Sequence, residues 1–284
     1  MGTFDGLHRG HQRVISAVKR IALERGLEPM VICFDRHPLE TIAPERAPRL
    51  IQWPSERTNS LYREGLSILT LEFTPTLASL TAAEWLRKIH LEQGVDALVV
   101  GYDNTFGRDG VGMNVADYRK LGEEIGVDVI EASYEPKAGS SAIRKLLSGG
   151  DLEEANRLLG YPFAITGEVT VGKRIGHKLG YPTANITPSY RALLPKRGVY
   201  AVEVRMPDGE TRPAVANIGL QPTVSYDSQE RLEVHIPGFD GNLYGERLTV
   251  KFMRRMRDEM KFDSAEDLCR QIAEDLRQLQ KTTI

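Results

Sequence analysis

His8 and His11 stand three residues apart in the segment GTFDGLHRGH (2–11), with Gly10 between them. A His-x-Gly-His pattern where a loop turns into a helix is chemistry for phosphate. The helix start offers unpaired amide N–H groups and positive potential, Gly10 permits close approach, and the imidazoles add donors. The same histidines could instead do no more than cap and pack a helix. A second helix start, GSSAIR (139–144), carries Ser140, Ser141 and Arg144, hydroxyls and a guanidinium suited to an anion. Taken alone, plain N-capping is the simpler account of those serines. The loop GYDNTFGRDG (101–110) follows a strand, where an open α/β sheet places its ligand loops.

A different chemistry is written into GKRIGHKLGYPTANI (172–186). Gly172, Gly176 and Gly180 make a loop able to approach phosphate oxygens, with Lys173, Arg174 and Lys178 nearby. Thr183 and Asn185 follow at alternate positions, so a hydroxyl and an amide carbonyl can face one way. These are hard oxygen ligands that suit Mg²⁺ while phosphates complete its shell. By itself a Gly-rich turn before Pro-Thr is more often only a turn. In RLEVHI (231–236), alternation puts Leu232, Val234 and Ile236 on one face and Glu233 and His235 on the other.

The elements that must position these residues change character along the chain. In the first half, Val14, Val18, Ile21 and Ala22 recur at helical spacing and Gly26 can close that helix. Short apolar runs at 30–34, 66–73 and 97–100 read as strands. Thr81 and Glu84 form a capping box for a helix that Gly94 ends. A helix over about 115–125, a strand in VDVIEAS, and two short helices, the second capped by Asp151, complete this half. Strands alternating with helices imply a parallel sheet covered on both faces. After LLGYP (158–162), period-two alternation takes over in closely spaced segments, which predicts a small antiparallel barrel or sandwich. A last amphipathic helix begins near Ser264, striped by Leu268, Ile272, Leu276 and Leu279. The expected fold is therefore α/β followed by β, with domains over 1–160 and 161–284.

GTFDGLHRGH, CFDRHP, GYDNTFGR and GSSAIR together resemble the adenylyltransferase module of the bacterial bifunctional riboflavin kinase/FAD synthetases, a Rossmann-like member of the HxGH nucleotidyltransferases. The glycine loop with PTAN, NIGLQPT, RLEVHI and LYGERL resembles the riboflavin kinase module of the same family. The likeness spans nearly the whole chain in order. It implies a six-stranded Greek-key barrel with a terminal helix, phosphorylation of riboflavin by ATP to FMN, then adenylyl transfer from a second ATP to FMN. It places Gly2, Phe4, Asp5, Gly10, Ser140, Ser141, Gly172, Lys173, Gly176, Thr183 and Asn185 on ATP or its phosphates. His8, His11 and Arg144 become catalytic in the adenylyl step. Glu233 matches the carboxylate that orients or deprotonates the ribityl hydroxyl. Asp103, Phe106, Arg108 and Arg257 fall in the flavin region, and Mg²⁺ is held by Thr183 and Asn185.

The pattern departs from the family at Asn104, where the loop commonly has Phe, and at Gly139, in place of a first serine. An apolar strand precedes the Gly-x-Phe-Asp-Gly loop in the family. Here only Met1 and Gly2 stand before Thr3, so Met1 is expected to be an internal methionine, with about 15–20 residues lying ahead of it. Two other readings stay open: a riboflavin kinase with an impaired adenylyltransferase half, and a non-catalytic flavin-nucleotide binder.

The 37 basic residues nearly balance 39 acidic ones, which argues against a nucleic-acid binder that relies on bulk positive charge. Cys33 and Cys269 have no zinc spacing and read as buried free thiols. No signal peptide or membrane-length apolar run is evident, so a cytoplasmic enzyme with small-molecule partners, monomeric or weakly homo-oligomeric, is expected.

Overall fold

The computed structural model describes all residues except 102–103, 133–138, 173–175, 177–178, 189, 222–228 and 281–284. The chain forms two compact units. The first holds Met1–Arg49 and Pro54–Gly139; the second holds Leu50–Trp53 and Ser140–Ile284.

The first unit is α/β. Helix α1 (Arg9–Arg25) starts at an N-cap, His8, and stops where Gly26 takes a left-handed conformation that suits a residue without Cβ. Strand β1 (Met30–Phe34) follows, then the short helices α2 (Pro38–Ile42) and α3 (Pro54–Arg63), flanking a 3₁₀ turn at Pro44–Arg46. Strand β2 (Ser67–Leu71) pairs parallel with β1. After α4 (Pro75–Ala78) comes α5 (Ala82–Gln93), opened by the Thr81/Glu84 capping box and closed by Gly94. Strand β3 (Ala97–Val100) pairs parallel with β4 (Asp128–Glu131), and α6 (Val115–Ile125) joins them. The parallel strands thus form two pairs. Gly2 bridges to Cys33 on β1, its amide donating to the Ile32 carbonyl at 3.0 Å. One core holds Ile32 with Leu98, Val100, Trp85, Leu86 and Tyr118. Another packs Phe4 and Leu7 against Ile15, Val31, Cys33 and Leu61. This second core is what holds the His8 loop down.

The second unit opens with α7 (Ser140–Gly149) and α8 (Leu152–Leu159), whose Leu152, Ala155, Leu158 and Leu159 are buried. Burying such leucines is worth about 1.5–3 kcal/mol each, enough to dock so short a helix. The Asn156 side chain ties α8 to the strands that follow. It donates to the Phe252 carbonyl at 2.9 Å and accepts from the Phe163 amide at 2.7 Å. Strands β5 (Ala164–Thr170), β6 (Ala184–Thr187), β7 (Gly198–Arg205), β8 (Thr211–Gln221), β9 (Gln229–His235) and β10 (Arg247–Arg257) close into an antiparallel barrel in the order β10-β5-β6-β9-β8-β7. Leu232 and Val234 face inward and are buried, as the alternation predicts. The last helix, α9 (Ala265–Gln280), begins at Ala265, after the expected Ser264. Its most buried side chains are Leu279 and Asp275; Leu268, Ile272 and Leu276 are only half-buried. Cys33 is buried as expected, whereas Cys269 on α9 is half-buried; neither is in a disulfide.

Candidate functional site

Two separate constellations emerge, one in each unit. In the first, His8 caps α1, its Nδ1 accepting from the His11 amide at 3.3 Å. The rings of His8 and His11 stack at 3.7 Å between centroids, and Phe4 lies 5.1 Å from His11. Phe4 and Leu7 have positive φ, 48° and 37°, with Leu7 N–H closing a turn onto the Phe4 carbonyl. Each such conformation costs on the order of 1–3 kcal/mol in a non-glycine residue and persists only where its surroundings over-determine it. Here burial of both side chains does so. Asp5 and His8 are buried too, and Gly10 lies in the first turn of α1. Burial drives the His11 pKa well below 6.5, helped by the nearby charges of His8, the Met1 amine and Arg57. His11 Nδ1 is buried without a partner. A neutral imidazole with an unused nitrogen, at a helix N-terminus, is equipped to meet an oxyanion.

The 101–110 loop is docked by polar contacts. Phe106 is buried and stacks on Tyr118 at 4.2 Å. The Tyr118 hydroxyl accepts from the Phe106 amide and donates to its carbonyl, both at 3.1 Å. Asp109 accepts from the first amide of α5 at 2.8 Å. A Cβ on Gly107 would fall 2.3 Å from the Ala82 nitrogen, so only glycine permits this approach. Arg108 is exposed, its amide bound to the Leu80 carbonyl. Asn104 donates to the Met1 carbonyl at 2.9 Å. Asp103 lies outside the described residues, as does Lys173 in the second unit.

In the second unit, Ser140 and Ser141 open α7, with Arg144 half-buried one turn on. On the barrel, Glu233 of β9 stands directly opposite Asn185 of β6 and Asn217 of β8. Register therefore lines three polar side chains in one row on the same face. Burial pushes the Glu233 pKa up, against a smaller downward pull from Arg231. Asn185 Oδ1 is buried with no hydrogen-bond partner. Gly172 gives that side chain its space: a Cβ there would sit 2.1 Å from Asn185 Nδ2. Gly176 folds the loop back, its carbonyl accepting from Leu179 and Tyr181. An orphaned amide oxygen in a glycine-lined cradle fits a hard cation such as Mg²⁺. Among the described residues, no group of three or more His, Cys, Asp or Glu side chains converges for a metal. Thr183 lines a cavity of ≈ 530 Å³ with Val234, Ile236, Phe239, Asn242 and Tyr244, a volume in the range of small-molecule sites.

Arg257 is committed elsewhere on the barrel. It forms a bidentate pair with Asp275 of α9, at 2.9 and 2.7 Å, and donates to the Asp258 carbonyl. Asn217 opens the NIGLQPT motif without being marked there as a site residue, and Asp275 carries no mark in the sequence. Alternation could have put Asn217 on the outer face, between buried Ala216 and Ile218. Nothing local marks Asp275, which interrupts an apolar stripe.

A parallel α/β unit with a histidine-capped loop, followed by a closed six-stranded barrel with a half-buried carboxylate between two asparagines, is the two-domain frame in which the comparisons with known proteins fall. An FAD synthetase family model matches residues 1–142 and a riboflavin kinase model matches residues 159–283. The chain is 39% identical to the bifunctional riboflavin kinase/FMN adenylyltransferase of Pseudomonas fluorescens, over 94% of this chain and 87% of that one. The corresponding protein of Escherichia coli K12 is 36% identical, over 97% and 89%. A crystal structure described as a macrolide-efflux protein from Streptococcus pneumoniae superposes with a TM-score of 0.87 at 32% identity, covering 99% of this chain and 92% of that one. The chain belongs to the bifunctional riboflavin kinase/FMN adenylyltransferase family. It is a transferase of flavin biosynthesis that makes FMN from riboflavin and FAD from FMN, with ATP as the second substrate in each step.

Proposed function

We propose that each reaction is carried by its own constellation. Residues 1–160 supply adenylyl transfer and 161–284 supply the kinase. In the kinase step Glu233 is the general base for the ribityl 5′-hydroxyl of riboflavin. A carboxylate made more basic by burial takes that proton more readily once ionised, and its raised pKa supports this role. Thr183 and Asn185 hold Mg²⁺ on the phosphates of ATP. When bound, the ion neutralises charge developing on the transferred phosphoryl group. Gly172, Lys173 and Gly176 form the phosphate loop, and the cavity at Thr183 receives the nucleotide.

In the adenylyl step no protein nucleophile is needed, because FMN phosphate itself attacks the α-phosphate of ATP and pyrophosphate leaves. His8, His11 and the first amides of α1, at Gly10, bind phosphate oxygens and stabilise charge in the transition state. Gly2, Phe4 and Asp5 shape that loop. Ser140, Ser141 and Arg144 form a second anion-binding helix start, while Asp103, Phe106 and Arg108 belong to the flavin loop. Buried Phe106 serves there by shaping the loop. Arg257 acts on the flavin side of the barrel from its fixed pairing with Asp275. The enzyme works in the cytoplasm on small molecules alone. No helix among the described residues is long and apolar enough to cross a membrane.

The single observation that carries the kinase assignment is the row of Asn185, Glu233 and Asn217 across three strands. The test is to supply riboflavin, ATP and Mg²⁺ and resolve the flavins by chromatography. FMN followed by FAD is expected. FMN alone would mean an impaired adenylyltransferase half, and unchanged riboflavin would sink both enzyme readings.

A further inference from the structure

Neither proposed reaction uses Arg57, yet it is the most buried cationic side chain beside the histidine loop. It lies on α3 and is only 7% exposed. Its Nη1 donates to the Thr3 carbonyl at 2.6 Å and its Nη2 to the Phe34 carbonyl at 3.0 Å. Nε is buried with no partner. Among the described residues no carboxylate pairs with it. A buried guanidinium is ordinarily matched by an anion, because taking a lone charge out of water is costly. Two carbonyl dipoles accept from Nη1 and Nη2 without cancelling its charge.

The two carbonyls are informative in themselves. Thr3 begins the loop that passes through the strained Phe4 and Leu7 to His8, and Phe34 ends β1. One planar group thus fastens the loop to the strand end, which a point-charge ammonium cannot do with the same geometry. Arg57 is also among the charges that act on the His11 ring, so its field reaches the phosphate loop.

We propose that Arg57 is a positioning residue for adenylyl transfer, clamping the histidine loop onto the end of β1 and holding a fixed positive charge beside it. The arriving phosphates then complete the charge balance that the protein leaves open. This rests on reading the His8–His11 loop as the adenylyl site.

The experiment compares R57M, R57K and H11A in the full chain, following FMN formation from riboflavin and FAD formation from supplied FMN. Folded fractions are taken from urea unfolding curves. Per folded molecule, R57M should lower kcat for FAD formation at least tenfold with KM for FMN within twofold. FMN formation should be unchanged, and R57K should recover part of the loss. The proposal is overturned if R57M stays within twofold of the parent, if its loss disappears per folded molecule, or if R57K is no better than R57M. If H11A leaves FAD formation intact, the site reading itself fails. If H11A abolishes it while R57M does not, only the role of Arg57 fails.

Discussion

The imidazoles of His8 and His11 stack 3.7 Å apart and 20° from parallel, with the His11 amide bonded back to His8 Nδ1. Burial of the His11 ring, with the charge of the neighbouring His8 adding to it, keeps His11 neutral where an ordinary histidine would titrate. The folded chain therefore excludes a proton that the unfolded chain binds below about pH 6.5. The stability this contributes is present above the unfolded pKa and is lost as pH falls through 6.5 toward the lower folded value. Histidine NMR should show His11 titrating well below 6.5; titration at or above that value would contradict the burial argument. H11A should lower FAD formation by about 10²-fold, as for loss of one transition-state donor.

Glu233→Gln should lower FMN formation by about 10²–10⁴-fold, the usual worth of a positioned base. FAD formation from supplied FMN should continue. Because burial raises the Glu233 pKa, the parent enzyme's FMN-forming rate should fall as pH drops through a value above the usual carboxylate 4.5. Loss of both steps together in the variant would undo the division of labour between the two constellations.

Asn185→Ala removes the orphaned oxygen and leaves the barrel's hydrogen-bond ladder intact. The Mg²⁺ concentration for half-maximal FMN formation should rise by about tenfold or more, in line with removing one ligand from a small oxygen-coordinated shell. An unchanged Mg²⁺ titration would remove Asn185 from the cation site. Chelation by EDTA should stop FMN formation in the parent.

Asp275→Ala strands the Arg257 guanidinium, which is 19% exposed in its pairing with a nearly inaccessible carboxylate. Breaking a buried pair from one side costs about 3–5 kcal/mol. Urea unfolding should show a loss of that order. The R257M/D275L double variant should lose less than the two single changes summed, since no charge is left alone. Strict additivity would mean the pair contributes no coupling.

Much of the architecture was legible locally. The Thr81/Glu84 capping box and the left-handed Gly26 and Gly94 stand where helix grammar puts them. The alternation of Leu232 and Val234 reads straight through to a barrel interior. The short helices between 38 and 78 were not legible, because four to ten residues give no stable apolar period. The chemistry was visible as residue types but not as neighbours. That Asn217 flanks Glu233 depends on strand register, and that Phe106 turns inward depends on the Tyr118 hydroxyl holding both its backbone N–H and its carbonyl. Asp275 is hidden for a related reason: its burial is tolerated because Arg257 arrives from a distant strand, with Gln271 one turn away as a further donor.

The barrel of the second unit closes on itself through β10 and β5, so each of its six strands has a neighbour on both sides. It offers no free ladder to another chain. Among the described residues, the two-stranded sheets of the first unit, β1–β2 and β3–β4, do have outer strand edges, the Gly2 bridge covering part of one. If molecules of this protein pair through their backbones, as in a concentrated or heated preparation, the first unit is expected to be the one that does so. FAD output should then decline in such samples before FMN output does.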